Sequence, residues 1–173
     1  MQSSIARRPD SSRPAGYRIV RMRSLVSLLT LALLSAPALA AKPVSQTEAE
    51  AFFKRMGELN MSFDEKYAEL YANDAVVTGR KHGTAETTTV TGAQWAQLML
   101  FNLPKAKKRD DRSSFSKARY TPQGERMKIN AERYVMRKCN TDPDYYVVLA
   151  RQADGRILIV EESFELSVPN RCQ

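Results

Sequence analysis

The last third of the chain holds the pattern that most limits the possible fold. Four runs rich in apolar and β-branched residues are separated by short turn signals: 115–121, 126–137, 145–152 and 156–168. Asp154-Gly155 stands between the last two runs, and this dipeptide favours the type I′ turn of a two-residue hairpin. Because strands joined by such short connections pair antiparallel, the pattern predicts a four-stranded antiparallel meander.

Three capping boxes predict three helices before this meander. In each box a Ser or Thr is followed three residues later by Glu or Gln, and the boxes begin at Ser45, Ser62 and Thr91. The first helix keeps apolar residues at helical spacing, the second runs to Asn73-Asp74, and the third ends at Pro104. Between the second and third helices, 75–78 and 84–90 predict a short hairpin.

Residues 67–77 (YAELYANDAVV), with Thr91-Gly92 before the third helix, resemble the helix-to-strand corner of the nuclear transport factor 2-like superfamily. This superfamily includes ketosteroid isomerases, polyketide cyclases and scytalone dehydratase. The resemblance covers most of residues 46–168. It implies a cone-shaped α+β fold with three N-terminal helices packed on a curved, mostly antiparallel mixed-length sheet around a central pocket, and often a dimer. Because this fold carries enzymes, binders and assembly modules alike, it implies no particular reaction.

Glu162 is the ionisable residue in an otherwise apolar strand face. With a two-residue turn that pairs Ala153 with Arg156, Glu162 lies opposite Val147 on the face that turns to the interior. We expect the pocket to be lined by residues of this strand and of two helices: Glu162, Phe164, Val160, Tyr67 and Trp95. The alternative is a one-residue slip or bulge that turns Glu162 outward, beside Glu161.

The opposite face of the same hairpin predicts a self-association surface. It carries Tyr146, Val148, Ile157 and Ile159, and monomers seldom expose a contiguous apolar patch of this kind. We therefore expect a homodimer through this face.

These features predict a protein that binds a small, largely apolar ligand without transforming it. Two alternatives stay open: an isomerase, dehydratase or cyclase that uses Glu162 as acid and base, and an envelope assembly module that acts through its sheet face. No catalytic motif is complete, so no catalytic residue is assigned.

Residues 25–34 form an apolar run that follows Arg21 and Arg23 and precedes Ala38-Leu39-Ala40. A charged segment, a short apolar core and a small-x-small site are typical of a secretory signal peptide. The run is shorter than the roughly 20 apolar residues of a membrane span, so we expect no transmembrane anchor after cleavage. The sequence predicts a signal peptide over 1–40, with Met22 as an alternative start, and a single periplasmic or secreted domain over 41–173.

Most of the excess positive charge lies in this leader. The chain has 27 Lys and Arg against 19 Asp and Glu. Residues 1–40 hold six Arg and one Asp, which leaves 21 basic and 18 acidic residues, a net charge of +3. We therefore expect no nucleic-acid partner.

The cysteine and histidine content limits metal chemistry and predicts one cross-link. His82 is the single histidine, and no Cys, His and carboxylate cluster has metal-ligand spacing, so neither a metal nor a cofactor is expected.

Cys139 and Cys172 follow two parallel strands of the meander. The ends of these strands share a rim and lie about 10 Å apart, at two strand spacings. In an oxidising compartment they are predicted to form a disulfide.

Overall fold

A computed structural model of the protein describes residues 42–166 and 169–172. Its elements follow in this order: α1 (Gln46–Ser62), a 3₁₀ helix (Glu65–Leu70), β1 (Tyr71–Lys81), β2 (Thr87–Thr91), α2 (Gly92–Lys108), β3 (Ser113–Gln123), β4 (Arg126–Val135), a short 3₁₀ helix (Met136–Lys138), β5 (Asn140–Arg151) and β6 (Ile157–Leu166). The predicted signal peptide over 1–40, with its alternative start at Met22, lies outside the described residues.

The six strands form one curved sheet with the helices packed on one side. The strand order is β2-β1-β6-β5-β4-β3; β1 and β6 run parallel, and the other neighbours are antiparallel. Buried side chains of α1, such as Phe53 and Met56, share the core with Val147, Leu149 and Ile159 of the sheet. The predicted α+β class and the meander of the last four strands are confirmed.

The first helix begins where its capping box predicts. The Ser45 Oγ accepts a hydrogen bond from the Glu48 backbone N–H at 3.3 Å, and the Glu48 Oε2 accepts one from the Ser45 N–H at 3.0 Å. At the other end, Asn60 presents its Oδ1 to the N–H of Ser113 at 2.9 Å, so the last turn of α1 is tied to the first residue of β3.

The second predicted helix is wrong in type and in length. Phe63 adopts a left-handed conformation that ends α1, and Asp64, rather than Ser62, caps the next segment by accepting from the Lys66 N–H at 2.9 Å. The Ser62 hydroxyl instead donates to the carbonyl of Glu58 at 2.9 Å. The segment is a short 3₁₀ helix, so β1 begins at Tyr71 and not at Ala75.

The third predicted helix starts at its capping box, but Pro104 does not end it. α2 continues to Lys108. Proline has no N–H, so Pro104 cannot donate to the Leu100 carbonyl. Both residues lie on the exposed side of α2, where water can solvate that carbonyl. At its start, Gly92 lies so close to the Ala72 carbonyl that a Cβ would clash with it. Glycine at this position therefore lets α2 pack directly on β1.

The hairpin between β5 and β6 differs from the predicted pairing at two places. The first shifts the register by one residue, and the second restores it. The loop has three residues, closed by the Gln152 N–H donating to the Arg156 carbonyl at 2.7 Å, with Gly155 at φ +85°. This is the arrangement of a type I turn followed by a left-handed residue. Val160 is then one extra residue, since Leu149 pairs with Ile159 but the neighbouring Val148 pairs with Glu161.

Because of this bulge, the predicted dimer patch is wrong. Ile159 is 0% exposed in the core, and Ile157 packs against the same core. The outer face is instead polar. The Tyr146 hydroxyl donates to Glu161 at 2.6 Å, and the Arg80 guanidinium donates to Asp142 at 2.6 Å. A homodimer stays a prediction, without the isoleucine surface first assigned to it.

The predicted cross-link is confirmed. Cys139 and Cys172 form a disulfide, with their Cα atoms 5.0 Å apart. Beside it, the Arg171 N–H donates to the Lys138 carbonyl at 2.8 Å, so the C-terminal segment is fixed to the rim of the sheet.

No helix within residues 42–166 has the length and apolar character needed to cross a membrane.

Candidate functional site

A cavity of about 360 Å³ lies between α2, the end of α1 and the inner face of the sheet. Its volume falls within the range of small-molecule sites. Its wall is mostly apolar and is formed by aromatic and aliphatic side chains, among them Phe63, Tyr67, Trp95, Met99, Phe115 and Phe164. Polar side chains also line the cavity: Asn60, Asp64, Glu65, Asn102, Asp111, Ser113, Arg133 and Glu162.

Glu162 is the polar centre of this cavity. It lies opposite Val147, as predicted, and only 4% of its surface is exposed. Both carboxylate oxygens accept hydrogen bonds from tyrosines: Oε2 from the Tyr71 hydroxyl at 2.6 Å and Oε1 from the Tyr145 hydroxyl at 2.8 Å. Burial without these donors would be costly for a charged group, and the two hydroxyls offset part of that cost.

The environment shifts the pKa of all three groups upward. Burial raises the pKa of Glu162, while the hydrogen bonds from Tyr71 and Tyr145 and the positive charge of Arg133 oppose the rise. Burial, followed by the nearby Glu162 charge, raises the pKa of both Tyr71 and Tyr145. The tyrosines therefore remain neutral donors over the physiological pH range.

Replacing Glu162 by Gln is expected to remove a pH-dependent part of the stability. Because burial raises the folded-state pKa of Glu162, the folded protein holds this proton more tightly than the unfolded chain does. That stabilisation is complete below the ordinary glutamate value of 4.5 and is lost as the pH rises through the higher folded-state pKa.

Urea unfolding at several pH values measures this difference. The free energy of unfolding of the wild type should fall, relative to that of Glu162→Gln, as the pH rises above about 4.5. A difference that stays constant, or that grows with pH, would contradict a raised pKa at Glu162.

Arg133 and Trp95 lie in the cavity wall beside Phe164. The Nε of Arg133 donates to the Ser113 Oγ at 3.1 Å, and its guanidinium lies 5.1 Å from the centre of the Phe164 ring. The Trp95 ring packs on the same phenylalanine, with its centroid 5.0 Å from that of Phe164. The Trp95 Nε1 is buried and finds no hydrogen-bond partner among the residues that the structure describes.

The predicted site residues are brought together with one exception. Glu162, Phe164, Tyr67 and Trp95 all line the cavity. Val160 does not, because the bulge turns it to the other side of β6.

Sequence reasoning missed three important groups of the site. Tyr71 was placed on a helix, and only the early start of β1 brings its hydroxyl to Glu162. The inward position of Tyr145 is predictable from the sequence, because strand alternation puts it on the same face as Val147. Arg133 lines the cavity through packing of β4 that the sequence pattern does not carry.

His82 lies away from this cavity. Its Nδ1 is 2.6 Å from the Glu165 carboxylate, whose other oxygen is 3.4 Å from the Asn140 side-chain amide. This group lies at the rim beyond β1 and is not part of the cavity wall. Within 42–166 and 169–172, no group of three or more His, Cys, Asp and Glu side chains is arranged to hold a metal ion.

Comparison with known proteins identifies the fold. No family model matches the sequence, and no curated protein matches it at a significant level. Among solved structures, the chain is similar to the yeast UBP3-associated protein BRE5, with 19% identity, 69% of this chain and 95% of that chain covered, and a TM-score of 0.54.

Two bacterial structures are similar to a comparable extent. An NTF2-like protein of unknown function from Pseudomonas putida KT2440 is 11% identical, over 72% of this chain and 88% of that chain, with a TM-score of 0.54. The beta subunit of benzoate 1,2-dioxygenase from Burkholderia mallei is 15% identical, over 73% of this chain and 93% of that chain, with a TM-score of 0.50. At these identities the similarity concerns the fold, and the nuclear transport factor 2-like fold is confirmed.

Proposed function

We propose that the protein binds a small, largely apolar molecule in the cavity and does not transform it. The observation that carries this proposal is the cavity itself: about 360 Å³, walled by apolar side chains, with the buried carboxyl group of Glu162 at its polar end. Apolar walls with a few fixed polar groups are the usual composition of small-molecule sites.

The contacts of Glu162 support binding over catalysis. A general acid or base has to exchange a proton with a bound substrate at hydrogen-bond distance. Both oxygens of Glu162 already accept from Tyr71 and Tyr145, and the carboxyl group is almost fully covered. A substrate would have to compete with a tyrosine hydroxyl before Glu162 could act on it.

An isomerase, dehydratase or cyclase remains the second candidate, because the raised pKa of Glu162 is a property that proton-transfer catalysts use. An assembly module is less well supported, since such a protein has no need of an interior cavity. Binding without chemical change of the ligand separates the first candidate from the second.

We also propose that the protein works outside the cytoplasm. The Cys139–Cys172 disulfide supports this, because structural disulfides persist mainly in oxidising compartments. The predicted signal peptide over 1–40 supports it independently, from the sequence alone.

Binding can be followed through Trp95, the single tryptophan of the chain, since its ring forms part of the cavity wall. With 1-octanol as the probe, we expect a saturable change of Trp95 fluorescence with a dissociation constant of about 0.1 to 1 mM. The alcohol recovered after the titration should be unchanged.

Two positions on α2 supply a variant and its matched control. Ala106 lines the cavity, whereas Gln97 is exposed and does not. We expect Ala106→Phe to weaken 1-octanol binding by about tenfold or more, because the ring occupies part of the cavity. Gln97→Phe adds the same ring to the outside of the same helix and should leave binding as in the wild type. Equal binding by all three proteins would contradict the proposed site.

A further inference from the structure

The cavity wall holds an arginine with no carboxylate at ion-pair distance among the described residues, although its charge acts on Glu162 from farther away. Four arginines of this part of the chain are half-buried: Arg80, Arg112, Arg133 and Arg151. Three of them have a carboxylate at short range: Arg80 at 2.6 Å from Asp142, Arg112 at 2.7 Å from Asp110, and Arg151 at 2.7 Å from Glu48. For Arg133, no carboxylate of residues 42–166 lies within 4.0 Å.

We propose that the molecule bound in this cavity is an apolar monocarboxylic acid, held through its carboxylate by Arg133. This inference rests on the proposed function and names the class of ligand. A guanidinium offers two parallel N–H donors to a carboxylate, which makes this pair stronger and more directional than one between neutral groups.

The contacts of Arg133 leave donors for such a ligand. Its Nε donates to the Ser113 Oγ at 3.1 Å, and its Nη1 reaches the Glu165 carbonyl only at 3.5 Å. Its Nη2 has no hydrogen-bond partner among the described residues. The Nε contact and the packing of the guanidinium on Phe164 fix its plane, so little side-chain freedom is lost when a carboxylate binds.

Four acidic residues line the cavity, and none has a carboxylate oxygen within 4.0 Å of Arg133: Asp64, Glu65, Asp111 and Glu162. Glu162 lies beyond ion-pair distance of Arg133 and has both oxygens bonded to tyrosines. Asp111 pairs with Arg137 at 3.3 Å, and Asp64 caps the 3₁₀ helix through the Lys66 N–H. A carboxylate brought by the ligand would therefore be the first to reach the guanidinium.

A second donor in the same wall is also unsatisfied. The buried Trp95 Nε1 lacks an acceptor in the described part of the chain, and leaving a buried donor unpaired is unfavourable. Trp95 and Arg133 both pack against Phe164, so their side chains border the same part of the cavity. The Trp95 Nε1 itself has no exposed surface, so a ligand oxygen could reach it only after the ring moves. Arg133 is therefore the donor on which the inference rests.

The test compares two probes that differ only in the head group, octanoate and 1-octanol, at pH 7 by Trp95 fluorescence. For the wild type we expect octanoate to bind at least about tenfold more tightly. In Arg133→Gln this preference should fall to about one, while Arg126→Gln, an exposed arginine on the same strand outside the cavity, should keep it.

The outcomes separate the two proposals. If 1-octanol binds and octanoate does not bind more tightly, or if Arg133→Gln keeps the preference, the carboxylate inference is wrong and the binding function stands. If neither probe binds, both are wrong.

A second measurement needs no variant and covers the case in which Arg133→Gln does not fold. Carbon-13 NMR of octanoate labelled at its carboxyl carbon should show the bound ligand ionised at pH 7, because the guanidinium favours the carboxylate against burial and the nearby charge of Glu162. A bound ligand that is protonated at pH 7 would overturn the inference.

Discussion

Ile159→Asp is expected to unfold the protein, whereas Val160→Asp is expected to leave it folded. Ile159 is 0% exposed and packs in the core, so an aspartate there buries a charge without a partner and costs more than about 4 kcal/mol. Val160 is the extra residue of the bulge, is half-buried and faces away from the core, and its replacement should cost about 1 kcal/mol.

Far-ultraviolet circular dichroism and urea unfolding distinguish the two variants. They introduce the same side chain at adjacent positions, so each serves as the control of the other. Without the bulge, the alternation would place Val160 inside and Ile159 outside. The reverse result, with Val160→Asp unfolded and Ile159→Asp folded, would therefore contradict the register of β6.

Removal of the disulfide is expected to have the next largest effect. Cys139 and Cys172 are separated by 33 positions, and in the chain-entropy account a loop of this size stabilises the fold by about 4 kcal/mol. The double variant Cys139→Ser, Cys172→Ser should lose that amount in its free energy of unfolding, measured with urea.

Reduction of the wild type provides the control. Wild type treated with dithiothreitol should match the double variant, and the double variant should not respond to the reagent. The oxidised wild type should show no thiol that reacts with a thiol reagent. Two reactive thiols in the protein from its native compartment, or a double variant as stable as the wild type, would contradict a structural role for this disulfide.

The fold was predictable because its local signals agree with one another. Ser45 and Thr91 begin helices through capping boxes that are both formed, and the strand pattern after residue 113 gives the meander. The disulfide followed from the shared rim of two parallel strands, a property of topology that does not depend on side-chain packing.

Glu162 lies in the interior opposite Val147, as the sequence predicts, but the strand pairing that brings it there differs from the predicted one at two places. A three-residue loop in place of a two-residue loop shifted the register by one position, and the bulge at Val160 shifted it back before Glu162. Alternation alone detects neither shift, because an extra residue leaves the apolar run unchanged. The same bulge moved Ile159 into the core and removed the predicted dimer patch.

The rest of the site depends on contacts between distant segments. Tyr71 reaches Glu162 because the 3₁₀ helix is short and β1 starts early, and Tyr145 reaches it from β5. The cavity exists because α2 and the sheet do not fill the space between them, and Arg133 lines that space. Local sequence patterns carry no information about such a gap.

The most direct test of the central claim is the identification of what occupies the cavity in the native protein. Wild type, Ala106→Phe and Gln97→Phe would be purified from the organism that makes the protein and extracted, and the extracts would be compared by mass spectrometry. We predict one class of small, largely apolar molecule, in an amount close to that of the protein, in the wild type and in Gln97→Phe, and strongly reduced in Ala106→Phe. Extracts that hold no such molecule, or that are the same for all three proteins, would contradict the claim that this cavity is a binding site.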